Sequence, residues 1–158
     1  ELVKLGRPAL KEIEKAFGNK IIGSDGELLR DKLAEIVFAD SSARSRLEAI
    51  LHPRISGLWH EQIQVWRGAG MPVAVVVIPL LFETGVEKEF DTVICVACSV
   101  ATQQKRLLMR GWTPREIEQR NAAQLSVEQK IVRSHHVAWN EGGLDVLAEQ
   151  LSKILSLP

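Results

Sequence analysis

The chain reads as an α/β protein built on a parallel sheet, and three observations support that reading. Residues 73–78, VAVVVI, are an unbroken run rich in β-branched residues with no polar alternation, the pattern of a strand covered on both faces. Residues 92–97, TVICVA, repeat the pattern and pass directly into VATQQKRLLMR at 100–110, and strand followed by helix is the repeating unit of this class. The first 70 residues are almost wholly helical in pattern, with apolar faces that need a core to cover.

Taken in order, helices are predicted at 8–17, 29–39, 42–51 and 53–69, separated by the turn signals GNK, SDG and ADSS. The break between the last two rests on Pro53, because proline tolerates the first turn of a helix and not its interior. A new helix therefore starts at Pro53, leaving His52 just outside it as a turn residue or a site residue. After the two strands, WTPREIEQRNAAQ offers Thr113 as N-cap, Pro114 at the first helical position and Glu116 to close a capping box. Only Ile117 and Leu125 there are large and apolar, so the segment reads as an exposed flap. SVEQ at 126–129 starts another short helix, HHVAWN supplies a third strand, and 143–155 packs Leu144, Leu147, Leu151, Ile154 and Leu155 along one helical stripe. At 158 residues, with no internal repeat, the chain is one domain.

Composition excludes several classes. Twenty basic and twenty acidic residues give zero net charge, so nothing advertises nucleic acid or a membrane surface as partner. The longest apolar run, 73–82, is far short of the roughly 20 residues that span a bilayer. No secretory signal opens the sequence, and a cytoplasmic setting is expected. Cys95 and Cys98 fall on opposite faces of a strand, which argues against a disulfide, and no second pair accompanies them for zinc. His135 and His136 likewise lack a ligand set.

Ligands of open α/β sheets bind beyond the carboxyl ends of the strands, here Pro79–Glu83, Ala97–Ser99 and Asn140–Gly143. Glu83 could orient or deprotonate a substrate hydroxyl, or simply cap a solvated turn. Arg106 and Arg110, four apart on one helix face, could close with Arg115 and Arg120 over a polyphosphate, whose oxygens guanidinium groups fork onto. Charge runs of this kind are more often a solvated surface, here neutralised by Glu116 and Glu118.

In series, LHPRI at 51–55, PLLFE at 79–83, QQKRLLMRG at 103–111, RNAAQ at 120–124 and NEGG at 140–143 resemble the dephospho-coenzyme A kinase family. The resemblance implies a three-layer P-loop kinase of the nucleoside-monophosphate-kinase type, with a helical acceptor-binding region at 1–70, core strands and helix at 71–110, a lid at 111–125 and a C-terminal core at 126–158. It implies ATP-dependent phosphorylation of the ribose 3′-hydroxyl of dephospho-coenzyme A, with Mg²⁺. It places Arg106 and Arg110 as the lid arginine pair, the first near the adenine and the second on the phosphates, with Arg120 a further lid arginine. Asn140 to Gly142 correspond to the adenine-side loop, and His52 and Glu83 to the acceptor site.

The family's opening strand, its G-x-x-x-x-G-K-[ST] loop and a second strand have no counterpart here, and no Gly-Lys pair occurs anywhere. The expectation is therefore a fragment lacking about 35–40 residues, the size of a βαβ unit, with two sheet edges left open and no activity on its own. Most Mg²⁺ ligands are expected in that unit. The competing readings are a truncated relative acting as a binding or scaffold module, and a kinase for another nucleotide-like acceptor.

Overall fold

The computed structural model describes residues 3, 4 and 6–156. The chain forms two units, Glu1–Val77 and Ile78–Pro158, described in turn.

The first unit is helical. Helix α1 (Pro8–Phe17) starts with Pro8 in its first turn and ends at Gly18, whose φ of +79° suits glycine. Helix α2 (Arg30–Ala39) is followed at once by α3 (Ser41–Gly68), with Asp40 as N-cap: its Oδ1 accepts from the Ser42 amide at 2.8 Å. The core of the unit is Ile13, Phe17, Ile21, Leu33, Val37 and Ala43, with Leu47, Ile50 and Leu51 of α3 packed against it. Ile13 and Ile21 are fully buried, each stabilising the unit by roughly 1.5–3 kcal/mol relative to exposure.

The predicted break at Pro53 does not occur, because α3 runs through it for 28 residues. Proline removes one amide and leaves the carbonyl four residues back, on Ala49, without its usual donor. The guanidinium of Arg54 reaches back to the next carbonyl, on Ile50, and also pairs with Glu12 of α1. That packing holds the helix across a local defect, and His52 is a half-buried residue inside it rather than beside its start.

A second expectation is corrected at 73–78. These residues are irregular, and Val73, Val75 and Val77 are 55%, 57% and 87% exposed. A strand exists by its hydrogen-bonded neighbours, and among the described residues none pairs with this run. Sequence pattern measures the wish to be covered and cannot supply the cover.

The second unit has the expected α/β character. Strands β1 (Ile94–Ala97) and β2 (His136–Trp139) pair in parallel, from Ile94 opposite His136 to Ala97 opposite Trp139. Between them lie α4 (Val100–Met109), α5 (Pro114–Ala122) and α6 (Val127–Val132), and α7 (Leu144–Leu155) follows β2. The crossover is what a parallel pair requires. Both sequence-predicted capping boxes form, Thr113 with Glu116 and Ser126 with Gln129. Helix α4 ends in a Schellman motif: the Gly111 amide donates to the Leu108 carbonyl at 2.9 Å and the Trp112 amide to that of Leu107 at 3.2 Å, with Gly111 at φ +86°. Among the described residues no helix is long and apolar enough to cross a membrane.

Candidate functional site

The carboxyl ends of β1 and β2 build the first part of the site. The Asn140 amide donates to the Ala97 carbonyl at 2.7 Å, extending the ladder one residue beyond β2. That fixes the direction of the Asn140 carbonyl, which accepts from Arg106 Nη1 at 2.8 Å. A charged donor on a neutral carbonyl is a strong bond, and here it is partly buried. Ser99 caps α4 by accepting from the Thr102 amide at 3.2 Å, and its own amide donates to Glu141 Oε1 at 3.2 Å. Hydrogen bonds from Ser99 and Thr102 hold the Glu141 carboxyl below its usual range. Arg106, Asn140 and Glu141 thus tie together the strand-to-helix connections that follow β1 and β2.

Arg110 is the C-cap of α4, one turn beyond Arg106, with its side chain exposed. The Schellman turn behind it delivers Trp112, and Arg120 lies over the Trp112 ring at 4.2 Å from guanidinium carbon to centroid. Asn121 Nδ2 donates to Gln103 Oε1 at 3.3 Å, fastening α5 to α4. The flap therefore has a defined seat: Ile117 is buried and Arg120 is half-buried.

Glu83 stands in the turn after the buried Phe82. Its Oε1 receives the Lys130 ammonium at 2.9 Å and the Leu125 amide at 3.0 Å, and Lys130 Nζ also donates to Gln124 Oε1 at 2.9 Å. Partial burial pushes the Glu83 carboxyl up, but Lys130 and the amides of Glu83 and Leu125 outweigh it and leave the net shift downward. Glu83 is ionised at neutral pH.

The structure thus joins Arg106 to Asn140, sets Arg110 one helical turn past Arg106 and Gly142 just past Asn140, and seats Arg120 on the flap. His52 belongs to the first unit and the other candidates to the second. Sequence reasoning passed over Lys130, Glu141 and Gln150. Gln150 of α7 brackets the backbone of Trp139, accepting from its amide at 2.8 Å and donating to its carbonyl at 3.1 Å. Glu141 had a signal, lying within NEGG. Lys130 and Gln150 had none, since nothing local marks the bonds that reach 47 residues to Glu83 and 11 residues to the Trp139 backbone. His135 has a structural task, its Nδ1 accepting from the Val93 amide at 2.9 Å, which places the ring proton on Nε2.

A family profile described as Dephospho-CoA kinase matches residues 1–145. Among curated relatives, proteins named Dephospho-CoA kinase from Geobacter sulfurreducens and Anaeromyxobacter dehalogenans are 41% and 39% identical over 98% of this chain, which covers 79% and 74% of them. A third of that name, from Symbiobacterium thermophilum, is 39% identical over 89% of this chain. The chain spans 59% of that relative's length. Of solved structures, a Thermus thermophilus protein superposes with a TM-score of 0.72 at 31% identity, over 93% of this chain and 75% of its own. The Dephospho-CoA kinase of Campylobacter jejuni gives 0.60 at 25% identity, over 94% and 74%.

Proposed function

This chain belongs to the dephospho-CoA kinase family, and from that premise we propose that it takes part in transfer of the γ-phosphoryl group of ATP to the ribose 3′-hydroxyl of dephospho-coenzyme A. In that step the 3′-oxygen bonds to the γ-phosphorus while the bond from that phosphorus to the β–γ bridging oxygen breaks. ADP departs with the bond's electrons and the hydroxyl proton is released, giving coenzyme A.

The observation that carries the reading is the bond between Arg106 and the Asn140 carbonyl at the carboxyl ends of two parallel strands, where α/β sheets take nucleotides. Arg106 and Asn140 frame the base. An added Cβ at Gly142 would meet Val146 at an ordinary 3.6 Å, so packing within the chain does not demand glycine there, and its smallness serves approach of the base. Arg110 meets the transferring phosphate, whose charge spreads over its equatorial oxygens as the bond breaks. Arg120 works from the flap, which closes to exclude water. Within the second unit, Glu83 holds the acceptor ribose.

Family membership implies Mg²⁺ alongside ATP. Magnesium at such sites is held by one or two carboxylates together with substrate phosphates and water; among the described residues no group of three His, Cys, Asp or Glu side chains is placed to hold a metal ion, and no step is derived through one. The reading is tested by a coupled ATP assay on the protein as encoded, comparing dephospho-coenzyme A with nucleoside monophosphates as acceptors. Turnover with dephospho-coenzyme A is expected, and turnover confined to nucleoside monophosphates would sink it.

A further inference from the structure

Glu83 is the proposed acceptor carboxylate, yet it does not stand alone. Two donors from different elements converge on its Oε1: the Lys130 ammonium from α6 and the amide of Leu125, just after α5. Lys130 and Glu83 side chains are each only 18% exposed. Lys130 also holds Gln124 through its amide oxygen, so one ammonium bridges the acceptor carboxylate and the tail of the flap. Convergence of both donors on one oxygen fixes the rotation of the carboxylate, where a solvated glutamate would sample several rotamers. The surroundings reinforce the seat: Arg133 of the same α6 stretch lies over the Phe82 ring at 4.7 Å and pairs with Glu87.

We propose that Lys130 is a positioning residue for the acceptor: it holds the Glu83 carboxylate in the orientation that receives the ribose hydroxyls and fastens that carboxylate to the tail of the flap at Gln124 and Leu125. The inference rests on the acceptor role given to Glu83 under the proposed function. Its consequence is a selective one. Loss of Lys130 loosens the acceptor site while Arg106, Asn140 and Arg110, which meet the nucleotide, keep their own supports.

The test compares the protein as encoded with Lys130→Met, Lys130→Gln, Lys130→Arg, Glu83→Gln and the double variant Lys130→Met/Glu83→Gln. Lys130→Met should raise the KM for dephospho-coenzyme A about 10-fold, the size of one lost charged hydrogen bond, with the KM for ATP within about twofold. Lys130→Arg, which keeps charge and donors, should come back to within about threefold. Lys130→Gln should fall between and serves if the methionine variant fails to fold. In the Glu83→Gln background Lys130→Met should change the acceptor KM less than about twofold, since residues acting through one another are not additive. Equal effects on both substrates, a lowered melting temperature with unchanged acceptor KM, or full additivity in the double variant would each overturn the inference while leaving the proposed reaction standing. Absence of any turnover of dephospho-coenzyme A by the wild type would overturn both.

Discussion

In the unit Glu1–Val77 the buried side chains among the described residues are apolar, and most of them gather in one cluster around Ile13 and Ile21. In Ile78–Pro158 the buried residues Phe82, Val93, Ala97, Ile117 and Ala138 are dispersed along the chain, and among the described residues no large side chain there is fully buried. What joins its elements is polar: Arg106 to Asn140, Glu83 to Lys130 and Leu125, Gln150 to Trp139, Arg133 to Glu87. Apolar burial is non-directional and scales with area, whereas a partly exposed ion pair contributes about 0–1 kcal/mol and fixes direction. The first unit spends its sequence on stability, the second on orientation. That division places the proposed nucleotide and flap residues in the second unit.

The division breaks most visibly at Arg110. Arg110→Ala should lower kcat about 10³-fold, the lower end of what a phosphate-facing arginine contributes, with little change in melting temperature, because the side chain is exposed. Activity within threefold of wild type would return it to the solvated surface. Ile13→Ala is the opposite case. It should cost about 3 kcal/mol in urea unfolding, from lost transfer energy plus the cavity left behind, with kcat per folded molecule unchanged. A cost below about 1 kcal/mol would show that the first unit has no rigid core to lose. Arg106→Ala sits between. Loss of one charge-assisted bond to a carbonyl should raise the KM for ATP about 20-fold, and an unaltered ATP KM with raised acceptor KM would detach the residue from the base.

How much of this was legible differs by region for the same physical reason. The capping boxes at Thr113 and Ser126 and the strand segments that become β1 and β2 were readable because each is written in residues within a few positions of one another, whereas the pairing of those strands spans 42 residues and was not read. Pro53 misled because a local rule was overruled by packing: the first half of α3 lies on the core and Arg54 bridges the defect. The run 73–78 misled because β character depends on a neighbour, which no residue inside the run can report. In the site, the Arg106 and Asn140 positions were visible from strand ends and helix phase, while Lys130 was hidden because its partner Glu83 lies 47 residues earlier in the sequence.

A smaller effect is expected at Gly111. Its φ of +86° and its place in the Schellman turn make Gly111→Ala cost about 1 kcal/mol, although an added Cβ would meet nothing within 4 Å. The cost is therefore one of backbone conformation, and it should appear in urea unfolding with the KM for ATP nearly unchanged. A change in ATP KM beyond about threefold would mean that the turn also aims Arg110 and Trp112, blurring the line between stability and orientation within the second unit.

The smallest effect expected is also the most direct measure of that line. The Glu83 carboxyl is held below its ordinary value of 4.5, burial opposing and Lys130 with the two amides prevailing. A group whose folded pKa is depressed contributes stability that is fully present above the unfolded value and is lost as pH falls through the folded one. The melting temperature of wild type should therefore exceed that of Lys130→Met by a constant small margin near neutral pH. Below about pH 4.5 the margin should close, as protonation removes the negative charge that Lys130 pairs with. In the variant the opposing effect of burial remains without the ammonium, so its carboxyl protonates at higher pH than in wild type and it has less stability to lose on acidification, which is why the margin closes. A margin that persists unchanged to pH 3 would show that Lys130 stabilises the second unit by packing its methylenes rather than by holding Glu83, and would move it from the side of orientation to the side of stability.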